Sequence, residues 1–224
     1  MPSKSKPALS ARKQQKTLFL VFFSLTFILW SLYRSLFNFP VEFDETLGKA
    51  IFFALPVLIY VNTTKDKAVI KALDPKRLFP GLLRGLAYGG ILGFMTILLV
   101  AIKKGSIFIP APVFMADSFW LESFLALMTA FWESLFFFGF VQTVLSSVLK
   151  KPGIGKVLLL SSLIFLLFHL PNLVLRFSGL DVSFLVGLLY LFGFGQALIF
   201  SQEKSIYPLI MTHTIWGLIL MIHF

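Results

Sequence analysis

Residues 118–149 read SFWLESFLALMTAFWESLFFFGFVQTVLSSVL. Only two charged side chains, Glu122 and Glu133, interrupt this run. A helix needs about 20 mainly apolar residues to cross the roughly 30 Å hydrocarbon core of a bilayer. At 1.5 Å per residue the run is long enough to span and to project beyond it. It is apolar on every face, which a water-facing surface helix never is. The stretch predicts a membrane-spanning helix with one carboxylate near its middle.

Six further apolar runs flank it, at about 17–37, 48–63, 82–102, 157–175, 182–200 and 205–223. The whole chain of 224 residues is 58% apolar and 13% charged. Soluble domains average nearer 45–50% and 25%. The expectation is an all-α polytopic membrane bundle of about seven transmembrane helices. Residues 1–16 form a basic arm, and 17–224 a single membrane domain. The first run is long for a signal-peptide core and lacks a small-x-small cleavage site, so an uncleaved first helix is expected. The second run is short and contains Pro56, which predicts a kink or tilt. There is no cysteine, which excludes disulfides, thiolate metal sites and a cysteine nucleophile.

The formal net charge is +10. On a soluble protein that would raise nucleic acid as a partner. Here the bases lie in short clusters between apolar runs, so the partner is the anionic membrane surface and no nucleic acid is expected. The arm carries Lys4, Lys6, Arg12, Lys13 and Lys16, and loop 64–81 carries Lys65, Lys67, Lys71, Lys76 and Arg77. Loop 150–156 adds Lys150, Lys151 and Lys156. The alternate loops hold Glu42, Asp44 and Glu45, then Lys103, Lys104 and Arg176. The positive-inside rule then predicts a multi-pass cell-membrane protein with a cytoplasmic N-terminus and an outer C-terminus. Gly85, Gly89 and Gly93, four apart, predict a smooth groove for close helix packing. Asp74-Pro75 predicts a turn or interfacial helix break.

An ionisable group deep in lipid costs at least ~2.5–3.5 kcal/mol on insertion scales. Three stand deep in their runs: Glu133, His169 and His213. Glu122 is read as rim, and Asp181 as a helix end far from the histidines. One carboxylate and two imidazoles allow several chemistries. The Glu can act as general base on a water, with the histidines donating hydrogen bonds to an oxyanion. All three can hold Zn²⁺, or relay protons in a transporter. They can also bind helices together by a Glu–His hydrogen bond. Other intramembrane chemistries lack their motifs: there is no His-Glu-x-x-His, no Gly-x-Gly-Asp, no Gly-x-Ser-Gly and no phosphate loop.

The ordered set resembles the CAAX prenyl protease and bacteriocin-processing (CPBP, Abi) family of glutamic-type intramembrane endopeptidases. That family carries Glu-Glu-x-x-x-Arg on one helix, Phe-x-x-x-His on the next and His-x-x-x-Asn/Asp two helices later. Here Phe165 and His169 keep the second motif, and His213 keeps the head of the third. Ser134 stands at the second glutamate, Phe138 at the arginine and Gly217 at the Asn/Asp position. The resemblance covers about 118–223. It implies a membrane cavity in which Glu133 activates water and His169 and His213 assist, with Ser134, Phe165 and Gly217 in supporting positions. It also implies membrane-associated, prenylated or sorting-signal peptide substrates. A bound Zn on Glu133, His169 and His213 stays open, although no carboxylate is expected behind either histidine to orient it. The competing expectation is a non-catalytic scaffold or immunity-type relative with the same fold.

Overall fold

The computed structural model describes residues 6–105, 117–149 and 153–223, with the side chains of 6–13 and 221–223 left aside. The basic residues of the N-terminal arm before Lys16, and Lys150 and Lys151, therefore fall outside the described residues or side chains. Among the described residues every regular element is helical.

Seven long helices cross the fold. They are α1 (Lys6–Leu36), α2 (Val41–Thr64), α4 (Leu78–Lys104), α5 (Phe119–Val148), α6 (Ile154–Arg176), α7 (Leu180–Glu203) and α8 (Tyr207–His223). A short α3 (Lys67–Lys71) lies in the basic loop. Six of the long helices have the length and hydropathy to cross a membrane, and α8 contributes a shorter apolar stretch, Tyr207–Leu220. The expected polytopic α-bundle is what the chain forms. Leu20, Ile91, Phe94, Trp120 and Leu191 point outward and exposed. In water that girdle would be a liability; in lipid it is the ground state, because the tails are as apolar as leucine.

The helix ends follow local chemistry. Asp66 caps α3 by accepting from the Ala68 amide at 2.9 Å. Asp74 does the same for Lys76 at 3.1 Å, and Pro75–Arg77 forms a 3₁₀ turn. The Asp74-Pro75 break thus separates α3 from α4. Gly105 closes α4 in the left-handed region at φ +66°, where a Cβ would be strained.

The run expected at 48–63 starts earlier, at Val41. Its first turns are π-type, at Asp44–Gly48 and Ala50–Ala54, before Leu55–Thr64 continues as an α-helix with Pro56 in its first turn. The acidic stretch Glu42, Asp44 and Glu45 is therefore part of a helix and not a loop. Asp44 and Lys49 are buried there, so the deep ionisable groups number more than the three seen in the sequence. α5 also changes pitch: Phe119–Glu133 is α-helical and Ser134–Gln142 is π-helical. Wider π turns inside helices gather at functional sites, and here the switch falls directly after Glu133.

The glycine stripe works as expected. α4 packs along α8 through Gly85, Gly89 and Gly93, joined by Gly81. A Cβ on Gly85 would sit 2.5 Å from the Pro208 carbonyl oxygen. Thr212 Oγ1 also reaches the Gly85 carbonyl at 3.2 Å.

Two ends of the bundle can be told apart by their contacts. At the first end the Ile206 amide donates to Ala72 O, Arg77 bonds the carbonyls of Glu203 and Lys204, and Tyr207 Oη bonds Leu73 O. At the second end Arg34 bonds Asn172 and pairs with Asp44, and Lys103 pairs with Asp181.

Gly85→Ala is expected to lower stability by ~1–3 kcal/mol through overpacking against rigid backbone. Gly90→Ala, where a Cβ meets nothing within 4 Å, should be neutral or slightly stabilising. Thermal unfolding of both variants in detergent checks the contrast.

Candidate active site

Glu133 ends the α-helical half of α5 and is almost fully buried. His169 lies on α6, about two turns before its C-terminal end, and His213 on α8. The three side chains converge. Glu133 Oε2 lies 3.3 Å from His169 Nε2 and 3.7 Å from His213 Nε2. Three helices separated by 36 and 44 positions in sequence thus bring one carboxylate oxygen against two imidazoles.

The second carboxylate oxygen is taken by a residue the sequence reading missed. Lys49 on α2 donates to Glu133 Oε1 at 2.6 Å and lies 2.5 Å from Glu45 Oε2. Thr129, one turn before Glu133 on α5, donates its hydroxyl to Glu45. Lys49 is 6% exposed. A lone ammonium that deep would cost several kcal/mol, and two carboxylates in hydrogen-bond reach are what compensate it. Lys49 was missed because it lies near the expected start of a short run and 84 positions from Glu133. One signal was present: Glu45 and Lys49 are four apart, the spacing that pairs charges on one helix face.

Each histidine is held differently. His169 Nδ1 lies 2.7 Å from the Phe165 carbonyl, a contact that assigns Nδ1 as donor. Its Nε2 is therefore the atom that faces the carboxylate, and at 3.3 Å a water cannot lie between the two but one beside them can donate to both. Phe165 stacks under the ring with centroids 4.3 Å apart. The Phe-x-x-x-His spacing thus serves both contacts, backbone and ring. His213 packs edge-on against Phe192 at 5.0 Å, and Phe192 stacks on Trp216 at 3.9 Å. Among the described residues His213 Nδ1 and Glu133 Oε2 have no well-aligned hydrogen-bond partner. Buried polar atoms of this kind ordinarily bind ordered water.

The centre sits at the wall of a cavity of about 460 Å³. Glu45, Lys49, Glu133, His169, Asn172 and His213 supply its polar part. Leu125, Leu173, Leu185, Leu188, Leu189 and Trp216 supply its apolar part. Such a mixture suits an amphiphilic chain. A second polar cluster stands alongside. Arg34 pairs with Asp44, Tyr33 donates to Asp44, and Arg34 Nε donates to Asn172 Oδ1 at 2.8 Å. Glu122, read as rim, does line the cavity, and Asp181 is away from it, paired with Lys103.

The three positions that depart from the resembled motif part ways. Ser134 is fully buried beside Glu133, and its hydroxyl has no side-chain or backbone partner among the described residues. Phe138, at the position of the family arginine, lies in the apolar core against Phe165. Gly217 lines the cavity, and a Cβ there would meet only Ala126 at 3.9 Å. A side chain as large as the Asn or Asp of the family motif therefore has room to start. The positive charge missing from Phe138 is supplied from another helix by Lys49.

No group of three histidine or acidic side chains among the described residues has metal-holding geometry. The donor chemistry explains why. A dication on Glu133 would stand beside the Lys49 ammonium, which already occupies one carboxylate oxygen. The set fits water better than zinc.

Fold and site together define a polytopic helical membrane protein with a buried glutamate–imidazole centre open to a cavity. Residues 115–219 match the family model described as "Type II CAAX prenyl endopeptidase Rce1-like". That segment, close to half of the chain, begins just before α5 and ends within α8, so it contains Glu133, His169 and His213. The likeness to the CAAX protease family thus rests on the same helices as the site. No curated protein matches the chain. No solved structure matches it either.

Lys49→Met is expected to destabilise the fold by ~3–5 kcal/mol, because it leaves Glu133 buried without its cation. Lys49→Arg should recover much of that loss. Denaturation midpoints of the purified variants in one detergent check the order wild type, Lys49→Arg, Lys49→Met.

Proposed function

We propose that the protein is an intramembrane endopeptidase that cleaves membrane-associated or lipidated polypeptides with a Glu133-activated water. The observation that carries this reading is the meeting of Glu133 Oε2 with two imidazole Nε2 atoms at the wall of an amphiphilic cavity. The family match of 115–219 supports the same reaction class.

The reaction follows from the atoms. A water between Glu133 Oε2 and the substrate loses a proton to the carboxylate as its oxygen adds to the scissile carbonyl. The carbonyl oxygen becomes an oxyanion. His213 stabilises it by donating from Nε2, in the low-dielectric surroundings where such bonds count most, while His169, whose Nδ1 proton goes to the Phe165 carbonyl, accepts from the water at Nε2 and orients it. The C–N bond then breaks, and the proton held by Glu133 passes to the leaving amine. Lys49 holds Oε1, so the carboxylate presents Oε2 to the cavity in one orientation. Lys49 and Phe165 are positioning residues in this scheme. The apolar wall of leucines and Trp216 holds the substrate's membrane-anchoring part.

A second reading has its own support. Lys49, Glu45 and Glu133 form an ion-pair cluster between α2 and α5, which serves a non-catalytic scaffold equally well. The departures at Ser134, Phe138 and Gly217 point the same way.

Glu133→Gln separates the two, because its amide oxygen still accepts from Lys49 while its basicity is gone. The assay uses proteoliposomes and two reporters, a farnesylated C-terminal peptide and a peptide with an apolar anchor. Turnover should fall about 10²–10⁴-fold, with the melting temperature nearly unchanged. Equal turnover by wild type and variant would remove the general base. A lowered melting temperature with no activity in either protein would favour the scaffold. Phenanthroline and EDTA should leave wild-type turnover unchanged; inhibition reversed by Zn²⁺ would restore the metal reading.

A further inference from the structure

We infer that the cavity opens on the extracytoplasmic face, so that the site takes polypeptide substrate presented from the outer side of the membrane. The inference rests on the proteolytic reading only for the word substrate; the direction of access stands on separate observations.

The mouth belongs to one end of the bundle. Val41 at the start of α2, Glu122 in the first turn of α5, and Arg176 and Phe177 at the close of α6 all line the cavity. These are the ends marked by the Arg34–Asp44 and Lys103–Asp181 pairs. The opposite direction is closed. Below Glu133, toward the first end, Phe136, Phe137, Phe138, Phe140, Phe165 and Phe168 are buried in contact with one another. Tyr60 packs on Phe140 beyond them. The polar side chains on that side, Ser134, Gln142, Ser161 and Gln196, are buried and do not line the cavity.

Charge then tells which end faces the cytoplasm. The first end carries Lys65, Lys67, Lys71, Lys76 and Arg77 between α2 and α4. Lys156 at the start of α6 and Lys204 after α7 add to it. The mouth end carries fewer bases: Arg34, Lys49 and Lys103, which pair with Asp44, Glu133 and Asp181, together with Lys104 and Arg176. Glu42, Asp44, Glu45, Glu122 and Asp181 make that end acidic. Lysine and arginine stay on the cytoplasmic side during insertion, while acidic residues carry little weight. The aromatic plug and the more basic end therefore face the cytoplasm, and the mouth faces outward. A scissile segment in the outer leaflet, or just outside it, reaches Glu133. A cytoplasmic tail meets the plug.

The chain contains no cysteine, so each introduced thiol is a unique reporter. Val41→Cys marks the mouth, Lys71→Cys the basic end, and Ala126→Cys the cavity wall, seven residues and roughly 10 Å before Glu133 on α5. The full chain is produced in bacterial cells and treated with a membrane-impermeant maleimide before and after permeabilisation. Val41→Cys should label in intact cells, and Lys71→Cys only after permeabilisation. Ala126→Cys should react from outside with a small cationic methanethiosulfonate. The reverse pattern for Val41 and Lys71 overturns the orientation. An inert Ala126→Cys beside an accessible Val41→Cys overturns access through the mouth. Neither readout needs turnover, so a failed labelling experiment and a failed cleavage assay are distinct results.

Discussion

A lysine ammonium placed in lipid without company would cost more than any single helix contact can return. Lys49 avoids this by holding Glu133 and Glu45 together. That arrangement constrains everything around it. It requires α2 and α5 to touch at this level, with the π turns on either side of Lys49 and just after Glu133 adjusting the facing side chains. It leaves one oxygen of Glu133 for the histidines. Removing one charge exposes the others, so the cluster is at once an anchor and the electrostatic frame of the site.

The departures from the family pattern make sense as a set. A second glutamate and an arginine on one helix form a local charge pair in the family motif. In this chain both positions are uncharged, Ser134 and Phe138, and Phe138 joins the aromatic packing with Phe165. Neither change strands a charge, because both charges are gone. The cation reappears at Lys49, across the helix interface. Glu133 therefore keeps a positive partner although the motif that would name one is absent. Gly217 leaves its side of the cavity open, which enlarges the space next to His213.

The aromatic composition, 28 phenylalanines, looks excessive in a list and purposeful in space. Edge-to-face and stacked rings fill most of the volume below the site. The same rings fix His169 and His213 from beneath and beside. Water and charge are thereby confined to one side of Glu133. An asymmetric cavity of this kind gives the molecule a direction.

The sequence by itself determined the membrane class, the polytopic helical bundle and the glycine face of α4. These follow from local quantities: length of apolar runs, period of small residues and turn chemistry at Asp74-Pro75. It also pointed to Glu133, His169 and His213, because an ionisable residue inside an apolar run stands out before any fold is known. It placed the start of α2 too late and read Glu42, Asp44 and Glu45 as loop charge, since acidic residues in sequence look like solvent exposure. Only the tertiary structure decided that those residues fold inward, that Lys49 reaches Glu133 across 84 positions, and that the cavity has a single mouth end. Such contacts join distant helices, and pairing of distant charges leaves no periodic trace in the chain that makes it.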